Sequence, residues 1–531
     1  MPLLARRVSR CGKRRAVLPA ALLGLLAAAC GQRYDLGELE QRFDQVGADG
    51  TTDSIGTLIV DGPEDVDVAL GAQTASWGDS RLGDIDGDGY DDWITDNFQL
   101  VYGGPRVAGD TYPPPGAAMA TFTFAPDAEP SPTENVTTRD MTALAPLPAG
   151  DVDGDGCADI LFESRRMAFG PTVAPEYWAS QRAYLWYGRK ERPSGEIPLQ
   201  DEGVEFEPLH AVRDAISGTE PGVGDQALRL TSVGDIDADG FNDLAYSYTF
   251  MSTESPTTTE TAQSVTLIYY GSSNRLPSRG ASTLEDARLS DIRLASAMGD
   301  IDGDGPAEFW ASPFHGDSSV VVPGSAQRLG GESSGAALGL PIDAVSSYSA
   351  VHPMGDLDGD GIDDFIIDEA HVVSARSFLF YGSPSWATTP IDHGLADAIF
   401  HFDGGSGAVT PLGDYNGDGF NDVMLLQRVR RGGEPIDAPY EAIWRGEARV
   451  IPGMAQRYAG DYVTPLLRPE LSALEVGQLG GPNAAYPVGD LDGDGFGDIH
   501  VSLAAYETDI PAQGDVRSFM KYGGSLAAVI H

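Results

Sequence analysis

The stretch Asp84–Asp92 reads Asp-Ile-Asp-Gly-Asp-Gly-Tyr-Asp-Asp, and close variants of this nine-residue string occur seven times in the chain. Each copy follows a glycine and precedes a mainly apolar stretch. The copies begin at Asp84, Asp151, Asp235, Asp300, Asp356, Asp414 and Asp490. Internal repetition at this scale predicts an architecture assembled from similar small units.

The residue types in the string predict a metal-binding loop. Acids at positions 1, 3 and 5 of a tight loop converge on one point, and the acid at position 9 closes the cage. Position 6 is always glycine, and position 7 is free to be apolar if it offers only its carbonyl. Hard oxygen ligands in this number suit Ca²⁺, so we expect about seven calcium ions.

The predicted ligands are the residues at positions 1, 3, 5, 7 and 9 of each loop. They are Asp84, Asp86, Asp88, Tyr90, Asp92, Asp151, Asp153, Asp155, Cys157, Asp159, Asp235, Asp237, Asp239, Phe241, Asp243, Asp300, Asp302, Asp304, Pro306, Glu308, Asp356, Asp358, Asp360, Ile362, Asp364, Asp414, Asn416, Asp418, Phe420, Asp422, Asp490, Asp492, Asp494, Phe496 and Asp498. Pro306 and Glu308 in the fourth loop and Asn416 in the sixth predict the weakest binding there.

Two other interpretations of the acidic loops fit less well. An EF-hand needs a bidentate glutamate at position 12, where this chain carries only non-acidic residues such as Thr95 and Phe162. Acidic turns without a metal would leave several carboxylates crowded together, which is strongly repulsive. Cys157 occupies an apolar position and is interpreted as a small buried hydrophobe.

A second recurring element supports the division into units. Each loop is followed by an apolar strand that ends in an aromatic residue or proline and then glycine, as in Leu100–Gly103 and Val321–Gly324. Four short strands per unit predict an all-β fold, a seven-bladed β-propeller with a calcium loop between the first and second strands of each blade. The apolar segment Thr57–Val60 is expected to supply the outer strand of the seventh blade and close the ring.

These repeats resemble the FG-GAP (VCBS-type) repeats of the integrin α-subunit propeller and of many bacterial surface proteins. The resemblance covers residues 55–531, which would form the propeller domain. It implies a β-propeller with calcium in its loops. Some families with related propellers are polysaccharide lyases or hydrolases.

The composition limits the class of partner. The chain has 531 residues, with 34 Lys and Arg against 80 Asp and Glu, for a formal net charge of −46. Such an acidic surface repels phosphate backbones, which argues against nucleic acid as a partner. Apolar residues make up 41% of the chain, enough for a substantial core.

The N-terminal residues predict export. Six basic residues between Arg6 and Arg15 precede an Ala- and Leu-rich run of 14 residues, which is too short for a bilayer span of about 20. The run ends before Cys30 in a sequence that resembles a bacterial lipoprotein cleavage box. We expect residues 1–29 to be a signal peptide and 30–54 a lipidated cysteine and tether, with anchoring at the outer membrane or cell surface. An ordinary signal peptide is the alternative.

Three functions remain open: a calcium-stabilised binding or adhesion module for a protein or glycan, a polysaccharide-active lyase or hydrolase, and a structural subunit of an envelope assembly. No catalytic constellation is visible, because the G-x-S-x-G match at 331–335 is interpreted as a loop coincidence. The variable segments 164–183, 249–264 and 427–446 are expected at the end opposite the calcium loops. Candidate partner-binding residues are Tyr177, Trp178, Arg428, Arg430, Arg431 and Trp444.

Overall fold

The structure is a computed structural model. It describes residues 57–59, 68–70, 81–95, 98–105, 120–123, 137–141, 146–169, 178–206, 226–250, 263–278, 285–313, 319–342, 349–369, 376–402, 407–430, 444–463, 473–476, 485–504 and 516–521. The predicted signal peptide, Cys30 and the tether lie outside these residues. Contacts divide the chain into residues 1–57 and 58–531.

The chain is all-β, as predicted, and its described strands form seven small sheets. We number sheets 1 to 7 by the acidic loop that each contains, and loops 1 to 7 likewise. Sheet 1 contains Trp93–Ile94, Gln99–Val101, Ala120–Thr123 and Gly195–Pro198. Sheet 2 contains Thr137–Met141, Leu147–Gly150, Asp159–Phe169, Trp178–Trp186 and Val204–Phe206. Sheet 3 contains Gln226–Gly234, Asp243–Phe250, Gln263–Tyr269, Ala287–Ser290 and Gly331–Ser334.

The remaining four sheets repeat this plan. Sheet 4 contains Ile292–Gly299, Glu308–Pro313, Ser319–Val322 and Leu340–Ile342. Sheet 5 contains Ser349–Gly355, Asp364–Glu369, Arg376–Phe380, Ala398–His401 and Gly460–Val463. Sheet 6 contains Gly407–Gly413, Asp422–Arg430, Trp444–Ile451, Ala473–Val476 and Thr57–Ile59. Sheet 7 contains Ala485–Gly489, Asp498–Ala504, Val516–Lys521 and Val68–Leu70.

Each acidic loop in sheets 2 to 7 joins two antiparallel strands. The glycine before the loop pairs with the acid at position 9, as in Gly234 with Asp243 and Gly413 with Asp422. A register shift precedes each of these pairs. The extra residue adds local twist where the strand enters the loop.

The hydrophobic core consists of separate clusters between successive sheets. Strand Asp243–Phe250 shows why, because Leu244, Tyr246 and Tyr248 pack with sheet 2 while Ala245 packs with sheet 4. Alternate residues of a strand point to opposite faces, so both faces of such a sheet are buried. Similar clusters join sheet 1 to 2, sheet 4 to 5 and sheet 5 to 6.

Extra strands cover the outer edges of several sheets, and each comes from the next unit along the chain. Gly195–Pro198, Gly331–Ser334 and Gly460–Val463 pair in parallel with the outer strands of sheets 1, 3 and 5. In sheet 4 the same contact is reduced to a parallel bridge between Ile342 and Ile391. Consecutive units are therefore joined at the edge as well as through their faces.

The predicted position of the N-terminal strand is wrong. Thr57–Ile59 lies beside Ala473–Val476 in sheet 6, and Val68–Leu70 pairs with the last strand, Val516–Lys521, in sheet 7. The more apolar of the two segments was expected in sheet 7. Some units also lend a strand to the edge of the preceding sheet, and Thr57–Ile59 lies at such an edge.

Helices are short in the described part of the chain. Two α-helical turns span Leu199–Glu202 and Gly335–Leu338, and two 3₁₀ turns span Pro384–Ala387 and His393–Leu395. No described helix has the length and apolar character that crossing a membrane requires.

Candidate metal-binding loops

The first aspartate of each loop organises the backbone around it. In loop 1, Asp84 Oδ1 accepts the N–H of Gly87 at 2.7 Å, and Oδ2 accepts the N–H of Gly89 at 2.7 Å. Asp88 Oδ1 accepts the N–H of Tyr90 at 3.1 Å. Loops 5 and 6 repeat these contacts. The peptide groups therefore fix the carboxylates at positions 1 and 5.

The acid at position 9 is buried. It holds the loop to the end of the second strand after the loop, where a glycine follows that strand. Asp92 Oδ2 accepts the N–H of Ile85 at 2.9 Å, while Oδ1 accepts the N–H of Gly103 at 2.7 Å. Asp159 makes the equivalent bonds to Val152 and Gly188, each at 2.8 Å. Position 9 thus has a structural role in addition to its predicted role as a ligand.

Burial disfavours the charged form of the position-9 acids when no cation is near. It raises the pKa of Asp92, Asp159, Asp243 and Glu308 to about 8, and that of Asp364 and Asp422 to about 7. The neighbouring loop carboxylates add to this rise in pKa. A divalent cation within the loop would reverse the effect, because it favours the ionised carboxylate.

The carboxylates converge as the sequence predicts. In loops 1 to 5, three acids of each loop offer oxygens that lie within 4.8 Å of one another. One residue in each of loops 1, 3 and 6 also carries a buried oxygen that has no hydrogen-bond partner: Asp86 Oδ1, Asp237 Oδ1 and Asn416 Oδ1. These three side chains are 4%, 6% and 5% exposed, so water does not solvate them freely. A cation would satisfy these oxygens, and the donor set therefore fits a metal ion.

The loops are linked to one another through their backbones. The N–H at position 8 of each loop donates to the carbonyl at position 1 of the preceding loop, as in Ala158 to Asp84 at 2.7 Å. Loop 1 makes the same bond to loop 7, from Asp91 to Asp490 at 2.9 Å. These seven bonds form a closed cycle: Asp91 to Asp490, Ala158 to Asp84, Asn242 to Asp151, Ala307 to Asp235, Asp363 to Asp300, Asn421 to Asp356 and Gly497 to Asp414.

A glycine follows the second strand after each loop, and close packing requires it there. We call it the strand-ending glycine. A Cβ at Gly188 would lie 2.3 Å from the carbonyl oxygen of Ala158 and 2.7 Å from that of Ile85. The next N–H, that of Arg189, donates to the same Ile85 carbonyl at 2.9 Å. Only glycine lets this strand end reach the preceding loop.

The residue at position 7 packs over the preceding loop. A Cβ at Gly154 would lie 2.3 Å from the ring of Phe241, and one at Gly87 would lie 3.2 Å from the sulfur of Cys157. The structure therefore explains why position 7 is apolar. Cys157 is buried, as predicted, and burial together with Asp155 raises the pKa of its thiol to about 12.

Sequence reasoning missed a set of arginines that contact the loops. Arg192, Arg275, Arg328 and Arg457 each form ion pairs with the acids at positions 3 and 5 of the loop in the preceding sheet. Each arginine lies four residues after a strand-ending glycine, namely Gly188, Gly271, Gly324 and Gly453. That spacing was the available signal.

Several predicted partner-binding residues lie in strands instead of loops. Trp178 begins a strand, Arg428 and Arg430 lie in Asp422–Arg430, and Arg430 pairs with Trp444. The strands therefore extend further into the variable segments than expected, and residues 170–177, 251–262 and 431–443 lie outside the described residues. Tyr177 and Arg431 lie outside the described residues. The loop of each hairpin and the acidic loop are at opposite ends of the same strand.

The interpretation of residues 331–335 as a loop is also wrong. Gly331–Ser334 is an edge strand, and a helical turn begins at Gly335. Ser333 pairs with Leu289, and its carbonyl accepts the hydroxyl of Ser290 at 3.3 Å. The serine thus belongs to the edge strand of sheet 3.

No model of a known protein family matches the chain, and no curated protein matches it. Among solved structures, the chain is similar to an exotype rhamnogalacturonan lyase, YesX, with 14% identity and a TM-score of 0.28. The match covers 68% of this chain and 54% of the lyase. A likeness at this score carries no argument about fold or activity.

Proposed function

We propose that the protein is a calcium-stabilised binding module. The observation that carries the proposal is the convergence of carboxylate oxygens in loop after loop, together with the buried unpartnered oxygens of Asp86, Asp237 and Asn416. Calcium accepts six to eight oxygen ligands in flexible geometry, and these loops offer carboxylates on one end of each sheet. About seven ions would bind.

We further propose that the seven sheets are the blades of a closed propeller related to the FG-GAP repeats. The closed cycle of loop-to-loop hydrogen bonds supports this, because Asp91 joins the first loop to Asp490 in the last. The core clusters between successive sheets support it as well. The pairing of Val68–Leu70 with Val516–Lys521 supports closure by an N-terminal strand.

The proposed working surface is the hairpin end of the sheets, opposite the calcium loops. Strand Asp422–Arg430 begins at loop 6 and carries Arg428 and Arg430 toward the far end. At about 3.3 Å per residue, its nine residues separate the two ends by roughly 26 Å. Calcium would then act on recognition indirectly, by holding the blades rigid. The partner would be a protein or glycan, with the chain exported and anchored through Cys30.

A pull-down from the native cell envelope tests this function. The bait is the wild-type chain with calcium, and the comparison is the Arg428→Glu, Arg430→Glu double variant. We expect specific proteins or glycans to be retained by the wild type and lost from the variant, with calcium content unchanged. Equal retention by both would contradict the assignment of the working surface, and a glycan cleaved by the bait would favour the enzyme alternative.

A further inference from the structure

The four loop-contacting arginines are held in one repeated geometry. The guanidinium of Arg192 lies over the ring of Tyr102 at 4.8 Å, while Arg275, Arg328 and Arg457 lie 4.7 Å from the rings of Tyr187, Tyr270 and Tyr381. In three units, the N–H that follows the arginine also donates to the tyrosine hydroxyl, from Leu276, Leu329 and Tyr458. A fixed tyrosine thus positions each arginine against the loop.

The contacts of each arginine leave room for a cation. Arg192 Nε and Nη2 contact Oδ2 of Asp86 and Oδ2 of Asp88, on one side of the two carboxylates. The other oxygen of Asp86, Oδ1, is buried and without a partner, and Asp86 clusters with Asp84 and Asp92. In loop 3, the two oxygens of Asp237 differ in the same way. Arg328 contacts Oδ2, and Oδ1 has no hydrogen-bond partner. The arginine is therefore an outer contact of the site.

Loop 4 is built differently. Strand Ser319–Val322 is followed by Pro323 in place of tyrosine, and Trp386 stands four residues after Gly382, where four other units have arginine. The Trp386 indole donates to the carbonyl of Tyr381 at 2.9 Å and packs against Phe365 and Phe380. Within the described part of the chain, no basic side chain pairs with Asp302 or Asp304. Tyrosine and arginine are thus absent together.

We propose that Arg192, Arg275, Arg328 and Arg457 are built-in counter-ions that distinguish loops 1, 2, 3 and 5 from loop 4. A positive charge beside loops 1, 2, 3 and 5 relieves carboxylate repulsion when the metal is absent, and it repels a divalent cation when one binds. These loops keep their shape without calcium and bind it more weakly. Loop 4 has no such charge and binds calcium more tightly, despite Pro306 and Glu308.

The test uses three variants of the full chain, and it rests on the calcium binding proposed above. Arg192→Gln removes the charge from loop 1. Arg189→Gln is the matched control, because Arg189 is similarly exposed, lies over Trp186 and pairs with Glu202 outside the loop. Arg192→Lys keeps the positive charge but lacks the planar guanidinium group with its paired N–H donors. Calcium is titrated in competition with a chelator of fixed affinity, and melting is measured in EGTA.

We expect Arg192→Gln to convert one weak site into a site that binds calcium on the order of tenfold more tightly, and to lower the melting temperature in EGTA. Arg189→Gln should change neither value, and Arg192→Lys should keep the weak affinity. If Arg192→Gln weakens a site or leaves the affinities unchanged, the counter-ion role is wrong. If the wild type binds no calcium at all, it is the proposed function that fails.

Discussion

The two ends of each sheet differ in how strictly they repeat. At the acidic-loop end, position 9 receives the same two peptide N–H groups in loops 1 to 6, and each loop donates to the one before it. At the hairpin end, the segments 170–177, 251–262 and 431–443, which connect the paired strands along the chain, differ in length and sequence. One end is therefore fixed by packing constraints and the other is free to vary.

This contrast indicates a division between a structural end and a recognition end. Peptide groups of each acidic loop bond to the loop before it, so substitutions there disturb neighbouring sheets as well. Variable loops on a rigid scaffold are where binding usually evolves. If stability depends on one end and recognition on the other, changes at the acidic-loop end should affect stability most.

Removal of metal should have the largest effect. Each ion that binds only the folded chain stabilises it by about 4 kcal/mol at a thousandfold excess over Kd. We therefore expect EGTA to lower the melting temperature by at least about 10 °C in differential scanning calorimetry. Calcium should restore the melting temperature, and magnesium should not. A melting temperature indifferent to EGTA would remove the distinction between the two ends.

Substitution of a strand-ending glycine should come next. In Gly188→Ala, the new Cβ meets the carbonyl oxygens of Ala158 and Ile85, neither of which can move without opening the junction between sheets 1 and 2. We expect a loss of about 1–3 kcal/mol or more in the free energy of unfolding, measured by urea denaturation. Gly330→Ala is the control, since a Cβ at that position would meet nothing within 4 Å. Equal stability of the two variants would contradict the close packing.

Neutralising a position-9 acid should have a more local effect. Asp159→Asn places an amide N–H₂ against one of two peptide N–H donors, those of Val152 and Gly188, and it removes a predicted ligand. We expect one fewer bound calcium ion and a cost of about 1–3 kcal/mol. Asp201→Asn, at an exposed helical turn, should alter neither. An unchanged calcium count in Asp159→Asn would show that position 9 is purely structural.

Changes at the hairpin end should have the smallest effect on stability. Replacing residues 432–442 with a short Gly- and Ser-rich turn changes only loop closure, where a twofold change in length costs about 0.6 kcal/mol. We expect the melting temperature to stay within about 2 °C and calcium binding to be unchanged, while partner retention falls. A large loss of stability would mean that this end is also structural.

The sequence predicted the repeating features of the fold and not the junctions between units. The acidic string, the glycine at position 6 and the strand-ending glycine identified the all-β class and the loops, because these features recur at fixed spacing. The strands that some units lend to the edge of the preceding sheet were missed, since segments such as Gly331–Ser334 are polar and lack strand periodicity. Thr57–Val60 was assigned to sheet 7 because it is apolar, whereas Thr57–Ile59 lies at the edge of sheet 6.

The site was predicted in part. The carboxylates of loops 1 to 5 converge as their spacing indicated, which follows from the local backbone alone. The arginines could not be placed by local reasoning, because Arg192 is 106 residues from Asp86 and meets it only through sheet packing. The predicted variable segments overlap the strands, because strands such as Asp422–Arg430 continue through charged residues.

The number of calcium ions bound per folded chain can be measured directly. The folded chain would be dialysed against calcium and then against metal-free buffer with a weak chelator. Its metal content would be determined after each step by inductively coupled plasma mass spectrometry. We expect about seven calcium ions per chain after the first dialysis and fewer after the second. A chain that retains no calcium after the first dialysis, while remaining folded, would contradict this expectation.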